Sequence, residues 1–192
     1  MPPHHTWLAG LVTLGALLPQ THAGATEYAL DPQHTVVSFE MRSLGTTQRG
    51  EFRRAAGTVM LDSAAERGEV DIVIDARSLE AGNAATAKFV RGPSMLNTAV
   101  HPEIAYKAQR IVFLEGRPAR IEGELTLLGV TQSIALEVSS YACTAERCSI
   151  VATASLKRSA FGMTRYRMFA SDDVQLAIHV EGVSRSISAT RS

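Results

Sequence analysis

The chain has 192 residues, a length for one domain, and its 19 Lys and Arg balance 19 Asp and Glu, so the formal net charge is zero. That balance argues against nucleic acid as a partner, because a basic patch would supply most of such affinity, and it gives no polybasic anchor for anionic membranes. Apolar residues make up 45% of the chain, enough for a core.

In chain order, the first element is a processing segment. Trp7 to Leu18 is an apolar run, shorter than the roughly 17–25 residues a membrane-spanning helix needs. Ala23-Gly24-Ala25 follows with the A-x-A form of a signal-peptidase site. Residues 1–25 therefore read as an export signal peptide, cleaved after Ala25 or after Ala23. The competing reading is a retained N-terminal anchor, since the opening MPPHHT carries no Lys or Arg.

Residues 26–183 read as strand after strand. Asp31-Pro32 marks a turn, and period-2 alternation then appears in Val37-Phe39-Met41. It returns in Val70-Ile72-Ile74, in Ile121-Leu125-Leu127 with Gly123 in phase, and in Ile134-Leu136-Val138. Ile150-Ala152-Ala154-Leu156 and Val174-Leu176-Ile178-Val180 complete the regular sets. Each puts an apolar face inward and a polar face outward, as antiparallel strands do. Thr58 to Asp62 and Ile104 to Leu114 add two less regular strands. Turns are predicted at 64–68, at 115–118 and from Gly129. One short helix is predicted over 83–91, capped by Asn83 and stopped by Gly92-Pro93. Residues 184–192 form a small, polar tail. Eight strands make an all-β barrel or a sandwich. An eight-stranded barrel is either filled by side chains or just wide enough for one small ligand. The small inward residues Gly123, Ala152 and Ala154 leave room for the latter.

Cys143 and Cys148 are the only cysteines. In an exported chain an even pair reads as a disulfide, closing a small loop worth about 2 kcal/mol. A metal site is the other reading, but no third and fourth ligand stand nearby. After the leader the histidines are His34, His101 and His179, without metal spacing, and no nucleophile elbow, Walker loop or dinucleotide fingerprint occurs. No metal and no cofactor is expected. Asp172-Asp173 reads as a solvated turn. Arg158 falls in phase with Leu156 and so points inward near a strand end, toward a ligand's polar head or an internal carboxylate. Residues 159–173 concentrate Phe161, Met163, Tyr166, Met168 and Phe169, either an adaptable surface for a flexible apolar ligand or an ordinary loop over the barrel end. Phe89, Val90, Met95 and Leu96 lid or plug the same end.

Several segments resemble the YceI-like polyisoprenoid-binding proteins of the bacterial periplasm. YALDPQHTVVSFEM is similar to the family's opening of tyrosine, Asp-Pro, His-Ser/Thr and an alternating strand, and GEFRRAAGTVMLD to its next hairpin. VDIVIDARSLEAGN, HPEIAYKAQRI and IEGELTLLGVTQSIALEV follow in the family's order, the last resembling its most specific G-x-L-T-x-x-G-V-T element. KRSAFGM and SDDVQLAIHVEG complete a resemblance over residues 27–183. Departures fall at Ser43, where members often carry histidine, at Phe89-Val90-Arg91 in place of His-Leu-Arg, and at Met95-Leu96-Asn97 in place of Phe-Phe-Asp.

The resemblance implies a lipocalin-like, elongated eight-stranded antiparallel barrel whose ligands are isoprenoid chains such as isoprenoid quinones. The lumen residues it points to are Phe39, Met41, Phe52, Ile72, Ile74, Phe89, Met95, Leu96, Tyr106, Leu125, Leu127, Leu136, Leu156, Arg158, Phe161, Met163, Phe169, Leu176 and Ile178. The expectation is a periplasmic carrier without enzymatic activity. Burying each isoprene unit contributes about 3–4 kcal/mol gross, much of it offset by ordering the chain. Two rival readings are a filled barrel docking on a membrane redox partner and an enzyme acting on a bound lipid. Monomer and homodimer both stay open.

Overall fold

The computed structural model describes residues 24–185. All but the last two residues of the expected leader, and residues 186–192 of the tail, lie outside the described residues. Alternation does build the barrel: eight antiparallel strands close on themselves, most of them turning alternate apolar side chains inward. The first three are broken midway. They are β1 (Thr26–Leu30) with β2 (Val36–Ser43), β3 (Thr46–Phe52) with β4 (Ala55–Asp62), and β5 (Arg67–Asp75) with β6 (Leu79–Ala81). The other five are β7 (Glu103–Leu114), β8 (Arg117–Leu127), β9 (Val130–Cys143), β10 (Arg147–Lys157) and β11 (Ala170–Ser184). The 15 residues of β11 span about 50 Å at roughly 3.3 Å each. That strand closes the barrel by pairing with β1 at its end and with β2 along its first half.

At the lower end lie the turns at 63–66, 115–116 and 144–146. The upper end carries the turns at 44–45 and 128–129, helix α1 (Ala84–Arg91) and the segment 158–169. Asn83 caps α1, accepting from the Thr86 N–H at 3.0 Å, and the helix stops at Gly92-Pro93 as expected. The lower end is shut from inside. Cys148 is buried in phase with Ile150, Ala152, Ala154 and Leu156, and its disulfide to Cys143 joins β9 to β10 with Cα atoms 3.9 Å apart. The Tyr28 hydroxyl donates to Thr144 O at 2.6 Å, tying β1 to the same hairpin.

One break opens the wall. Asp75 ends β5 and holds the bend: Oδ1 accepts from the Arg77 N–H at 2.9 Å, and Oδ2 accepts from Arg54 Nη2 at 2.8 Å. β5 pairs with β7 as far as Asp75 and Glu103; beyond it, β6 pairs with β3. The resulting gap is covered by α1, which packs on β6, and by the segment after it, where Met95 and Leu96 are buried. The Arg77 guanidinium first, helped by Arg54 and against the opposing effect of burial, holds the Asp75 carboxyl down to about 2 from its ordinary 3.8. A depressed folded-state value contributes stability that is present above pH 4 and lost as the pH falls toward 2. Asp75→Asn is therefore expected to lower the melting temperature at neutral pH, with the gap from wild type closing between pH 4 and 2. Melts across that range check this; a gap of constant size would refute it.

Candidate ligand-binding lumen

The barrel interior is packed in its lower half and holds a small apolar cavity in its upper half. Below, the inward side chains of Val59, Val70, Ile111, Ile121, Ile150 and Val180 pack as one buried core. Tyr106 points inward from β7, one inward position below Ile104, and its ring lies over Gly123 of β8. Its hydroxyl is 3.1 Å from the carbonyl oxygens of both Ile121 and Ile134, sharing one proton between them. Gly123 makes room for this ring: a Cβ there would stand 2.8 Å from Tyr106 Cζ. The space that glycine leaves is thus taken by a tyrosine and not by a ligand. Burial, with a smaller push from the Glu122 carboxylate, raises the Tyr106 phenol far above its ordinary value, so it stays neutral.

Above Tyr106 is an inner cavity of about 100 Å³. Of the expected lumen residues, Phe39, Met41, Phe52, Ile74, Met95, Leu96, Leu125, Leu127, Leu156, Arg158, Met163 and Leu176 line it. Val37, Val90, Ile104 and Val174 join them. It abuts a mouth chamber of about 540 Å³, with Phe39, Met41, Val90 and Met95 on the shared wall. Phe89 and Phe169 belong to that chamber. Ile72, Tyr106, Leu136 and Phe161, also expected in the lumen, are instead buried in the packed core, and Ile178 is packed against it. The mouth adds Ser43, Leu44, Gln48, Arg49, Thr86 and Tyr166. Gln48 and Arg49 escape sequence reasoning because β3 runs exposed from Thr46 to Arg49, without an apolar alternate face.

Arg158 is the one ionisable side chain on the inner cavity among the described residues. It is 1% exposed. The internal carboxylate that sequence reasoning offers as its partner is absent. Four backbone carbonyls take its place: Nε donates to Ser171 O at 2.8 Å, Nη1 to Met163 O and Arg165 O at 2.7 Å each, and Nη2 to Ala170 O at 3.2 Å. Asp172 and Asp173 lie in β11 and not in a solvated turn, and both are engaged elsewhere: Asp172 accepts from the Ser159 N–H and hydroxyl, and Asp173 from Lys157 Nζ. One guanidinium thus gathers the loop from 163 to 171 over the barrel end, the planar five-donor fork suiting several acceptors at once. The histidines stand apart, His34 Nδ1 facing Asp31 Oδ2 at 2.8 Å and His179 Nε2 facing Glu181 Oε1 at 3.0 Å.

The YceI-like domain family matches residues 28–182, the whole of this barrel. The chain belongs to the YceI-like family. Protein YceI of Salmonella arizonae is 31% identical over 183 residues, covering 90% of this chain and 95% of the relative. A UPF0312 protein of Ectopseudomonas mendocina is 29% identical over 185 residues, covering 92% and 96%. Among solved structures, BcnA of Burkholderia cenocepacia superposes with a TM-score of 0.71 at 21% identity, over 79% of this chain and 98% of that one. A polyisoprenoid binding domain from Saccharophagus degradans gives a TM-score of 0.64 at 16% identity, over 82% and 98%. These likenesses match the closed barrel described above. Within the YceI-like frame, the departures noted in the sequence collect in one place: Ser43, Phe89, Val90 and Met95 all line the mouth chamber.

Proposed function

We propose that this YceI-like protein is an exported carrier that sequesters one long apolar lipid of the isoprenoid class, an isoprenoid quinone included, in the periplasm. The observation that carries the reading is the apolar space in the upper barrel, whose inner cavity is lined by aliphatic, aromatic and thioether side chains with a single arginine that donates to four carbonyls. Apolar pockets with few polar groups suit such ligands. The polyisoprenoid binding by which its structural neighbour is named supports the same class. At about 540 Å³ the mouth chamber has the size of an ordinary ligand pocket, while the inner cavity is smaller than one. A long chain therefore reaches inward by displacing side chains, and Met41, Met95 and Met163 on that path are unbranched and adaptable. The head group sits among Ser43, Gln48, Arg49 and Thr86 at the mouth, where this chain differs from the family pattern.

A binding role is favoured over catalysis because, among the described residues, the inner cavity carries one ionisable side chain, Arg158, whose hydrogen bonds go to backbone carbonyls. Export rests on the leader pattern of residues 1–25. Native mass spectrometry of protein purified from a periplasm, followed by organic extraction, tests the proposal. The expected result is one isoprenoid per chain. A ligand-free mass that persists after incubation with quinones and polyprenols would overturn it, in favour of a filled barrel acting through its surface.

A further inference from the structure

We propose that the upper end of the barrel is a docking face for an anionic phospholipid surface. The inference goes beyond the carrier reading, since it concerns where the protein sits and not what it holds. Zero net charge hides an axial segregation. Residues 42–50, 83–101 and 157–171 meet around the mouth, and together they carry eight Lys and Arg and no Asp or Glu. The lower turns carry acids as well as bases: Asp62 and Glu66 stand beside Arg67, Glu115 beside Arg117, and Glu146 beside Arg147.

Some of the upper charge is spent. Arg49 faces Glu40, Lys157 faces Asp173, and Arg158 is buried. Arg42, Lys88, Arg165 and Arg167 are exposed and form no salt bridge among the described residues, though Asp172 lies within the field of Arg167.

Between these cations stands an apolar crest. Met168 is 92% exposed, Leu44 76%, Phe169 57% and Phe89 50%. The crest is continuous: the Leu44 N–H donates to Phe169 O at 2.8 Å, and the Phe89 and Tyr166 rings meet edge to face at 5.4 Å. Apolar side chains ringed by cations are what an interfacial surface presents to acyl chains and anionic head groups together. Acyl chains would take Met168 out of water while the surrounding cations meet anionic head groups. Seated this way, the mouth opens onto the bilayer.

The test is flotation of the exported, full-length mature protein with vesicles of phosphatidylcholine, alone or mixed with phosphatidylglycerol. Binding to the mixed vesicles and its loss in high salt are expected. Arg165→Glu with Arg167→Glu, and separately Met168→Ser with Phe169→Ser, should each weaken partitioning roughly tenfold or more. Leu114→Ser, an exposed apolar site on the lower end, should change nothing. Melting curves of each variant establish that it is folded. Equal binding to both vesicle compositions, or indifference to the upper-end substitutions, would overturn the proposal. So would protein that stays with the soluble fraction and sediments as a dimer that Met168→Ser with Phe169→Ser dissociates, which would make this face a contact between two copies. Lipid content, measured on the same samples, separates this from the carrier reading: ligand-free protein that floats keeps the docking face, and loaded protein that does not float keeps only the carrier.

Discussion

Replacing Arg158 by methionine is expected to destabilise the protein by about 3–5 kcal/mol, because several carbonyls lose a charged donor at once and one such hydrogen bond contributes about 1.5–3 kcal/mol. Methionine fills a similar volume, so little of the loss comes from a void. It comes from Met163, Arg165, Ala170 and Ser171, whose carbonyls lose their donor together. An acceptor left buried without a partner costs about 1–3 kcal/mol, and those that turn to water must take the loop with them. The damage should therefore be local as well as global. Urea unfolding reads the first part, and limited proteolysis between Met163 and Ala170 reads the second. Arg158→Lys should recover only a fraction, because an ammonium is a compact point charge and cannot hold carbonyls arranged around a planar fork. A methionine variant with wild-type stability and an equally resistant loop would show that packing, and not this guanidinium, holds the segment over the mouth.

Tyr106→Ala is the second large effect. Truncating a large buried aromatic costs about 3–5 kcal/mol in the ligand-free protein, whereas Tyr106→Phe, which gives up only a shared hydroxyl proton, costs about 1 kcal/mol. The alanine variant also opens space beneath the upper cavity, since Tyr106 sits one inward position below Ile104, which lines it. On the carrier reading, a longer apolar chain can occupy the vacated space. Ligand that binds only the folded state adds stability in proportion to its affinity, so the longer of two polyprenols should restore more stability to Tyr106→Ala than the shorter one does. Wild type should respond to the two more nearly alike. Urea unfolding with and without each lipid decides the matter. Equal rescue of the variant by both lengths would remove Tyr106 as the limit of the channel.

Strand number and direction were legible because β5, β10 and β11 each keep one phase from end to end, and β8 does so from Ile121 on. Val70, Ile72 and Ile74 are all buried, as are Ile150, Ala152, Ala154 and Leu156, and the same phase carries through to Arg158. β7 reads as irregular for a physical reason. The pairing with β8 shifts between Ala108 and Arg110, so Ile104, Tyr106 and Ala108 face inward and the next inward residue is Ile111. A bulge is an extra residue, and alternation cannot survive one.

What stayed hidden is tertiary. Nothing in the residues 53–54 or 76–78 says that two strands break at the same height and part the wall, because that depends on Ser78 accepting from the Arg54 N–H across the pair. The partner of Arg158 was equally unreadable. An inward arginine implies acceptors, and a sequence advertises carboxylates far more clearly than carbonyls of a folded loop. Gly123 shows the same limit from the other side: a small residue signals space without saying which neighbour occupies it.

The packed lower barrel and its shut end have a consequence for traffic. On the carrier reading, a lipid held above Tyr106 enters at the mouth and must reverse along the same path to leave. A long molecule in such a dead end loads tail-first and keeps its polar end at the rim, so the part presented outward is always the same, whatever the length held inside. Handover to an acceptor is then a withdrawal and not a passage through. Its rate belongs to the few side chains at the rim, while the interlocked half below keeps the protein folded throughout.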